Sequence, residues 1–115
     1  MALPTIQSAI PKRRYQFGEF TITLLHDITS SDSVSYLFIV AVLREGASKP
    51  EVYITCEATT SNEENTYRIR VLSEQDEYII SEDRQWRHEQ AFCDFALKGI
   101  QQMFELTDES PILIS

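Results

Sequence analysis

From Tyr15 to Ile80 the sequence repeats with a period of two, β-branched and aromatic residues alternating with polar ones and turn-type residues arriving at regular intervals. That period places successive side chains on opposite faces of extended backbone, so the stretch commits the chain to a sheet of sequential strands. Tyr15 and Phe17 share one face, and Phe20, Ile22 and Leu24 continue with the opposite parity, which calls for a bulge or a tight turn at Gly18-Glu19. Residues 29–35 (TSSDSVS) form a polar turn segment. Residues 36–43 (YLFIVAVL) are apolar on both faces, as a central strand should be. Residues 44–51, with Gly46 and Pro50, turn the chain into a strand over 52–58, and residues 59–65 lead to further strands over 66–72 and 78–80.

One pairing register satisfies both faces of the 52–58 and 66–72 segments. If paired positions sum to 125, Cys56 meets Ile69 and Ile54 meets Val71 on the apolar face, while Glu57 meets Arg68, Thr55 meets Arg70 and Tyr53 meets Leu72 on the other. A slip by one residue would expose the whole apolar set, so burial decides the register, and the cross-strand charges add about 1 kcal/mol or less. For the preceding hairpin, the turn at Gly46 suggests pairing Leu43 with Val52. Leu37, Ile39, Ala41 and Leu43 then lie on the face of Ile54 and Cys56.

After the strands, Ser81 followed by Glu82 and Asp83 reads as a helix N-cap with acids in the first turn. The helix is expected over 82–106, with Phe92, Phe95, Ala96, Gly99, Ile100, Met103 and Phe104 as one apolar stripe, Phe95 and Phe92 both central to it. Gly99 implies close approach of the helix backbone to the sheet, since glycine otherwise costs about 1 kcal/mol there. Pro111 follows the helix, and Ile112, Leu113 and Ile114 form an apolar tail that should dock. At the other end, Pro4 and Pro11 make residues 1–14 an extended arm ahead of a single domain over 15–115.

The expected fold is therefore α+β, an antiparallel meander of five or six strands packed on one long C-terminal helix. In the order of its elements alone this is similar to pleckstrin-homology-like barrels, whose terminal helix caps a curled sheet. That resemblance implies a partly closed barrel as the alternative architecture and transfers no functional residue.

Charge narrows the partners. With 18 acidic and 10 basic residues among 115, the chain carries −8, all of it from residues 57–115, which opposes direct contact with nucleic acid or an anionic membrane. A basic protein partner is compatible. The one basic cluster, Lys12-Arg13-Arg14, is read as counter-charge for the acidic half. Cys56 and Cys93 both stand in apolar periodic segments and are expected buried and reduced, which suits the cytoplasm. The first residues lack the apolar core of a secretory signal, and no apolar run is long enough to span a bilayer.

Chemistry-bearing constellations are sparse. His26 and Asp27, adjacent on a strand, are expected on opposite faces, and His88 and Cys93 lie about 140° apart around a helix. No metal-ligand spacing, phosphate-binding glycine loop or nucleophile elbow occurs, so no catalytic, cofactor or metal residue is assigned. The least bland run is Trp86-Arg87-His88-Glu89, and Trp86 with His88 is kept as a weak candidate pocket.

The derived functional surface comes from counting faces. With Leu43 opposite Val52, Tyr36, Phe38, Val40 and Val42 join Tyr53, Leu72 and Tyr78 on the face away from the helix, a larger apolar patch than soluble monomers expose. A two-fold homodimer through this patch is the preferred cover, making the chain a non-catalytic protein-binding or assembly module. Two other readings are carried: an acidic inhibitor or immunity-type protein that blocks a basic partner, and a small-ligand or enzyme pocket near Trp86 and His88.

Overall fold

A computed structural model describes residues 5–31, 34–58 and 66–114. Pro4, residues 32 and 33 of the polar turn and the segment 59–65 lie outside the described residues. The chain forms strands β1 (Ile6–Phe17), β2 (Phe20–Ser30), β3 (Tyr36–Arg44), β4 (Val52–Ala58), β5 (Tyr67–Leu72) and β6 (Glu77–Asp83), then helix α1 (Glu89–Met103) and a short β7 (Ile112–Leu113). Their spatial order is β6-β5-β4-β3-β2-β1-β7, with every neighbouring pair antiparallel. The fold is thus an α+β meander on a helix, with β7 returning to the far side of β1. The sheet is open, with β6 and β7 as its edges, and not the partly closed barrel of the alternative.

Residues 6–14 are extended, and they form the first part of β1, paired with β2 from Ile6 onward. Pro11, opposite Leu25, is tolerated because β7 reaches β1 only at Tyr15 and Gln16, leaving the rest of that side of β1 as an edge. Lys12 and Arg13 reach the Glu89 carboxylate at the start of α1, and Arg13 Nη1 donates to Gln90 Oε1 at 3.1 Å. Two members of the basic cluster thus act as counter-charge for one acid of the second half, Glu89.

Gly18-Glu19 is a two-residue hairpin turn between Phe17 and Phe20. Only its first central residue has positive φ (+59°), the pattern of a type II′ turn, in which glycine is favoured at that place. A Cβ on Gly18 would also lie 2.9 Å from both Leu106 Cδ2 and Glu109 Oε2.

The β4–β5 ladder has the expected register throughout, from Tyr53 opposite Leu72 to Glu57 opposite Arg68. The β3–β4 ladder does not. Val42, not Leu43, pairs with Val52, so Val40 meets Ile54 and Phe38 meets Cys56. Residues 36–43 are apolar at every position, so periodicity cannot choose their face and the connecting turn does. There Glu51 N–H donates to the Val42 carbonyl (2.7 Å) and Ala47 N–H to that of Arg44 (2.9 Å). The Arg44 guanidinium grips Glu51 through two hydrogen bonds of 3.0 and 2.9 Å and lies 4.7 Å above the Phe20 ring.

The core follows from this register. Phe17, Phe20, Ile22, Leu24, Phe38, Val40, Val42, Ile54, Cys56, Ile69 and Val71 line the inner face of the sheet against Phe92, Cys93, Ala96 and Ile100 of α1. Phe38 and Phe92 stack at 5.7 Å, and Phe20 meets Phe104 at 4.3 Å.

The helix begins later than Ser81. That residue belongs to β6, because pairing with β5 continues to Asp83 and outcompetes local capping. Asp83 instead caps a 3-10 turn over Arg84–Arg87, its carboxylate accepting from Gln85 N–H at 3.1 Å. Phe92, not Phe95, is the fully buried aromatic of the stripe. Met103 is exposed, and nothing lies within 4 Å of a Cβ placed on Gly99, so close approach does not explain that glycine. At its end α1 closes in a Schellman arrangement, with Leu106 N–H donating to the Gln101 carbonyl (2.8 Å) and Glu105 in the left-handed position at φ +56°.

Candidate interaction surface

The one-residue offset dissolves the patch derived from face counting. Phe38, Val40 and Val42 are interior, under α1. Leu72 is fully buried and Tyr53 half-buried on the outer face, Tyr36 lies opposite Glu57 beside an irregularity in the β3–β4 ladder, and Tyr78 is exposed on β6. The seven residues do not form one surface.

What the outer face does hold is a charged cluster. The Glu57 carboxylate, fully buried, accepts from Thr55 Oγ1 (2.6 Å) and Arg70 Nε (2.7 Å), and Arg70 Nη1 donates onward to Glu77 at 2.9 Å. Arg68 approaches the other Glu57 oxygen at 3.6 Å, and neither that oxygen nor Arg68 Nε has a hydrogen-bond partner. Opposed residues on β4 and β5 create this cluster, and through Glu77 it fixes the start of β6.

β6 is therefore built from both sides of the sheet. A compact turn delivers the chain to it, with Ser73 N–H donating to the Asp76 carbonyl (2.9 Å) and Asp76 N–H to Ser73 Oγ (3.1 Å). Ile79 is opposite Arg70 and Ser81 is opposite Ile69, so Ile80 is the extra residue of a bulge. The bulge returns Ser81 to the inner face, where its hydroxyl accepts from Trp86 Nε1 at 2.9 Å. Trp86 in turn tilts against Phe95 with ring centres 4.6 Å apart. Anchored on both faces, β6 nonetheless leaves Tyr78, Ile79 and Ile80 exposed at 56%, 56% and 46%, and among the described residues no strand lies beyond it.

The opposite edge carries a matching feature. β7 pairs through its backbone, Leu113 opposite Tyr15 and Ile112 opposite Gln16, and Ile114 N–H donates to the Arg14 carbonyl at 2.8 Å. The apolar tail docks as expected, yet Ile112, Leu113 and Ile114 keep 62%, 60% and 51% of their surface exposed.

Trp86 and His88, the expected pocket pair, stand in different surroundings. Trp86 is buried, and His88 is exposed at the N-cap of α1. A cavity of about 490 Å³ lies farther along the helix, over Phe17, Phe95 and Leu97 with Asp94, Lys98 and Glu109 at its rim, and includes neither residue.

His26 and Asp27 do approach one another, contrary to the strand rule. Asp27 has φ +50°, which breaks the alternation and brings its carboxylate to 3.6 Å from His26 Nδ1. Both cysteines are free and buried. Burial pushes the Cys56 thiol up to about 12, and its Sγ donates to the Trp86 carbonyl at 3.2 Å. Burial likewise raises Cys93, whose Sγ sits 3.6 Å from the Tyr15 hydroxyl. Neither thiol is placed as a nucleophile. Among the described residues no three His, Cys, Asp or Glu side chains converge as metal ligands, and no helix is long and apolar enough to cross a membrane.

Compared with protein-family models, with curated proteins and with solved structures, the chain matches none.

Proposed function

We propose that this chain is a non-catalytic protein-binding or assembly module whose contact is the free edge of β6, where an extended segment adds as a further strand. The observation that carries the reading is the run Tyr78-Ile79-Ile80, about half exposed along an open sheet edge and held rigid by the Trp86–Ser81 and Arg70–Glu77 contacts. Edge strands of soluble proteins are ordinarily blunted by charge, proline, bulges or cover, and this central run has only the bulge at Ile80. Strand addition supplies backbone hydrogen bonds, with alternate side chains setting the preference. Two free, buried thiols suit a reducing, cytoplasmic setting.

The test is a selection of displayed peptides of about ten residues, long enough to cover one strand, against the parent chain and against Ile79→Lys. Enriched peptides are expected to be extended and rich in β-branched or aromatic residues, and to lose binding to the variant. Enrichment of peptides that bind both proteins equally, or none at all, overturns the reading.

A further inference from the structure

The two edges of the sheet are complementary to each other. Resting on the reading of β6 as a binding edge, the geometry points to a second copy of this chain as the occupant, its β7 edge seated on the β6 edge of the first, so that copies join head to tail in one continued sheet.

Three observations lead there. Each edge presents three consecutive exposed apolar residues, Tyr78-Ile79-Ile80 on one and Ile112-Leu113-Ile114 on the other. Six antiparallel steps separate β6 from β7, so both strands run in the same direction. A copy displaced sideways, with its helix kept on the same face, therefore meets the first in parallel pairing, with Tyr78 beside Ile112, Ile79 beside Leu113 and Ile80 beside Ile114. Charge separates this arrangement from the two-fold alternative. β6 has acids at both ends, Glu77 at one and Glu82 and Asp83 at the other. Antiparallel pairing of β6 with itself brings acid against acid: centred between Ile79 and Ile80 it sets Glu77 against Glu82, and centred on Ile80 it sets Glu77 against Asp83. The residues just before β7 are Ser110 and Pro111, and neither adds a like charge. Contact between unlike edges does not close on itself by a two-fold axis, so growth continues past the dimer unless the rotation between copies closes a ring.

The experiment uses Ile79→Lys, which blocks only the β6 edge, and Leu113→Lys, which blocks only the β7 edge, with sedimentation read at about 200 µM because a contact between two short edges is small. The parent is expected to exceed two chains in mass as concentration rises. Each variant alone is expected to be a monomer, and an equimolar mixture to give two chains and no more, one intact β7 edge having met one intact β6 edge. Since each copy carries −8, added salt should raise the parent's average mass. Dimerisation of Leu113→Lys alone would show β6 pairing with itself, dimerisation of Ile79→Lys alone would show the same for β7, and either overturns the proposal. A monomeric parent overturns it too, and leaves the strand-binding reading standing if the peptide selection succeeds. Should a lysine variant fail to fold, mixed Ile79→Cys and Leu113→Cys chains under mild oxidation give the same answer: a 79–113 cross-linked pair supports the proposal, and only 79–79 or 113–113 pairs, or none, overturn it.

Discussion

Replacing Arg70 by Met would strand the Glu57 carboxylate. In the parent that group is fully buried and holds two short hydrogen bonds, from Arg70 and Thr55, with Arg68 a further 3.6 Å away and not hydrogen-bonded to it. Without Arg70, a buried anion keeps only a hydroxyl and an off-geometry cation, and breaking a buried pair in this way costs about 3–5 kcal/mol. With an unfolding entropy of about 2.1 cal/mol/K per residue, the melting temperature should fall by roughly 12–20 °C. Glu57→Leu should cost less, about 1–2 kcal/mol, because Arg70 is less deeply buried and keeps Glu77. The double variant should lie closer to the parent than Arg70→Met does, since replacing both members of a buried pair by apolar groups is often near neutral. Trp86, the sole tryptophan, reports unfolding in urea through its fluorescence. If the two single losses simply add in the double variant, to within about 0.5 kcal/mol, the carboxylate and the guanidinium do not depend on one another and the reasoning fails.

Other perturbations test the core, the helix and the titrating groups. Phe92→Ala, which empties a fully buried site stacked on Phe38, should cost about 3–5 kcal/mol and more than Phe95→Ala, and the reverse order in thermal melts would place the centre of the core at Phe95 instead. Gly99→Ala, with open space around the new methyl, should stabilise by about 0.5–1 kcal/mol, and Glu105→Gly should gain about 1 kcal/mol by relieving the left-handed position; a loss of stability in either contradicts the local geometry. Burial raises Cys56, Cys93, Tyr15 and Tyr53 above their ordinary values, so folding favours their protonated forms. The stability this brings is complete below the unfolded-chain values, about 8.5 for Cys and about 10 for Tyr, and is lost as pH climbs from there toward the folded ones. Melting temperature should therefore decline above about pH 8.5, and a flat profile to pH 11 would contradict it.

How far the sequence could be read depended on how many constraints each segment carried. The β4–β5 register was legible because both of its faces were marked, apolar residues on one and Glu57, Thr55, Arg68 and Arg70 on the other. Residues 36–43 carry no such mark, so a turn two hydrogen bonds deep decided between two equally apolar faces, and the candidate interface moved with it. The Ser81 capping signal was genuine in form, but cross-strand pairing of β6 overrode it, and the Ser81 hydroxyl serves Trp86 instead. Ile79 and Ile80 carry no mark of their own that separates an exposed edge from a buried strand, since β-branched apolar residues suit both. Their flanking acids were the available signal, since charge at both ends of a short apolar run is compatible with an edge.

The order in which these elements occur along the chain has a consequence for folding. Each ladder of the meander joins strands that follow one another in sequence, so the sheet can grow hairpin by hairpin at a small entropic cost of loop closure. Among the described residues its main cover, α1 with Trp86 before it and Leu106 after it, follows all six of those strands, and Phe20 meets Phe104, 84 residues later in the chain. During synthesis the inner face, with Phe17, Phe20 and Phe38 on it, lacks this cover until the helix has emerged. A chain caught at that stage exposes a complete apolar sheet face, the kind of surface on which chaperones act and at which aggregation begins.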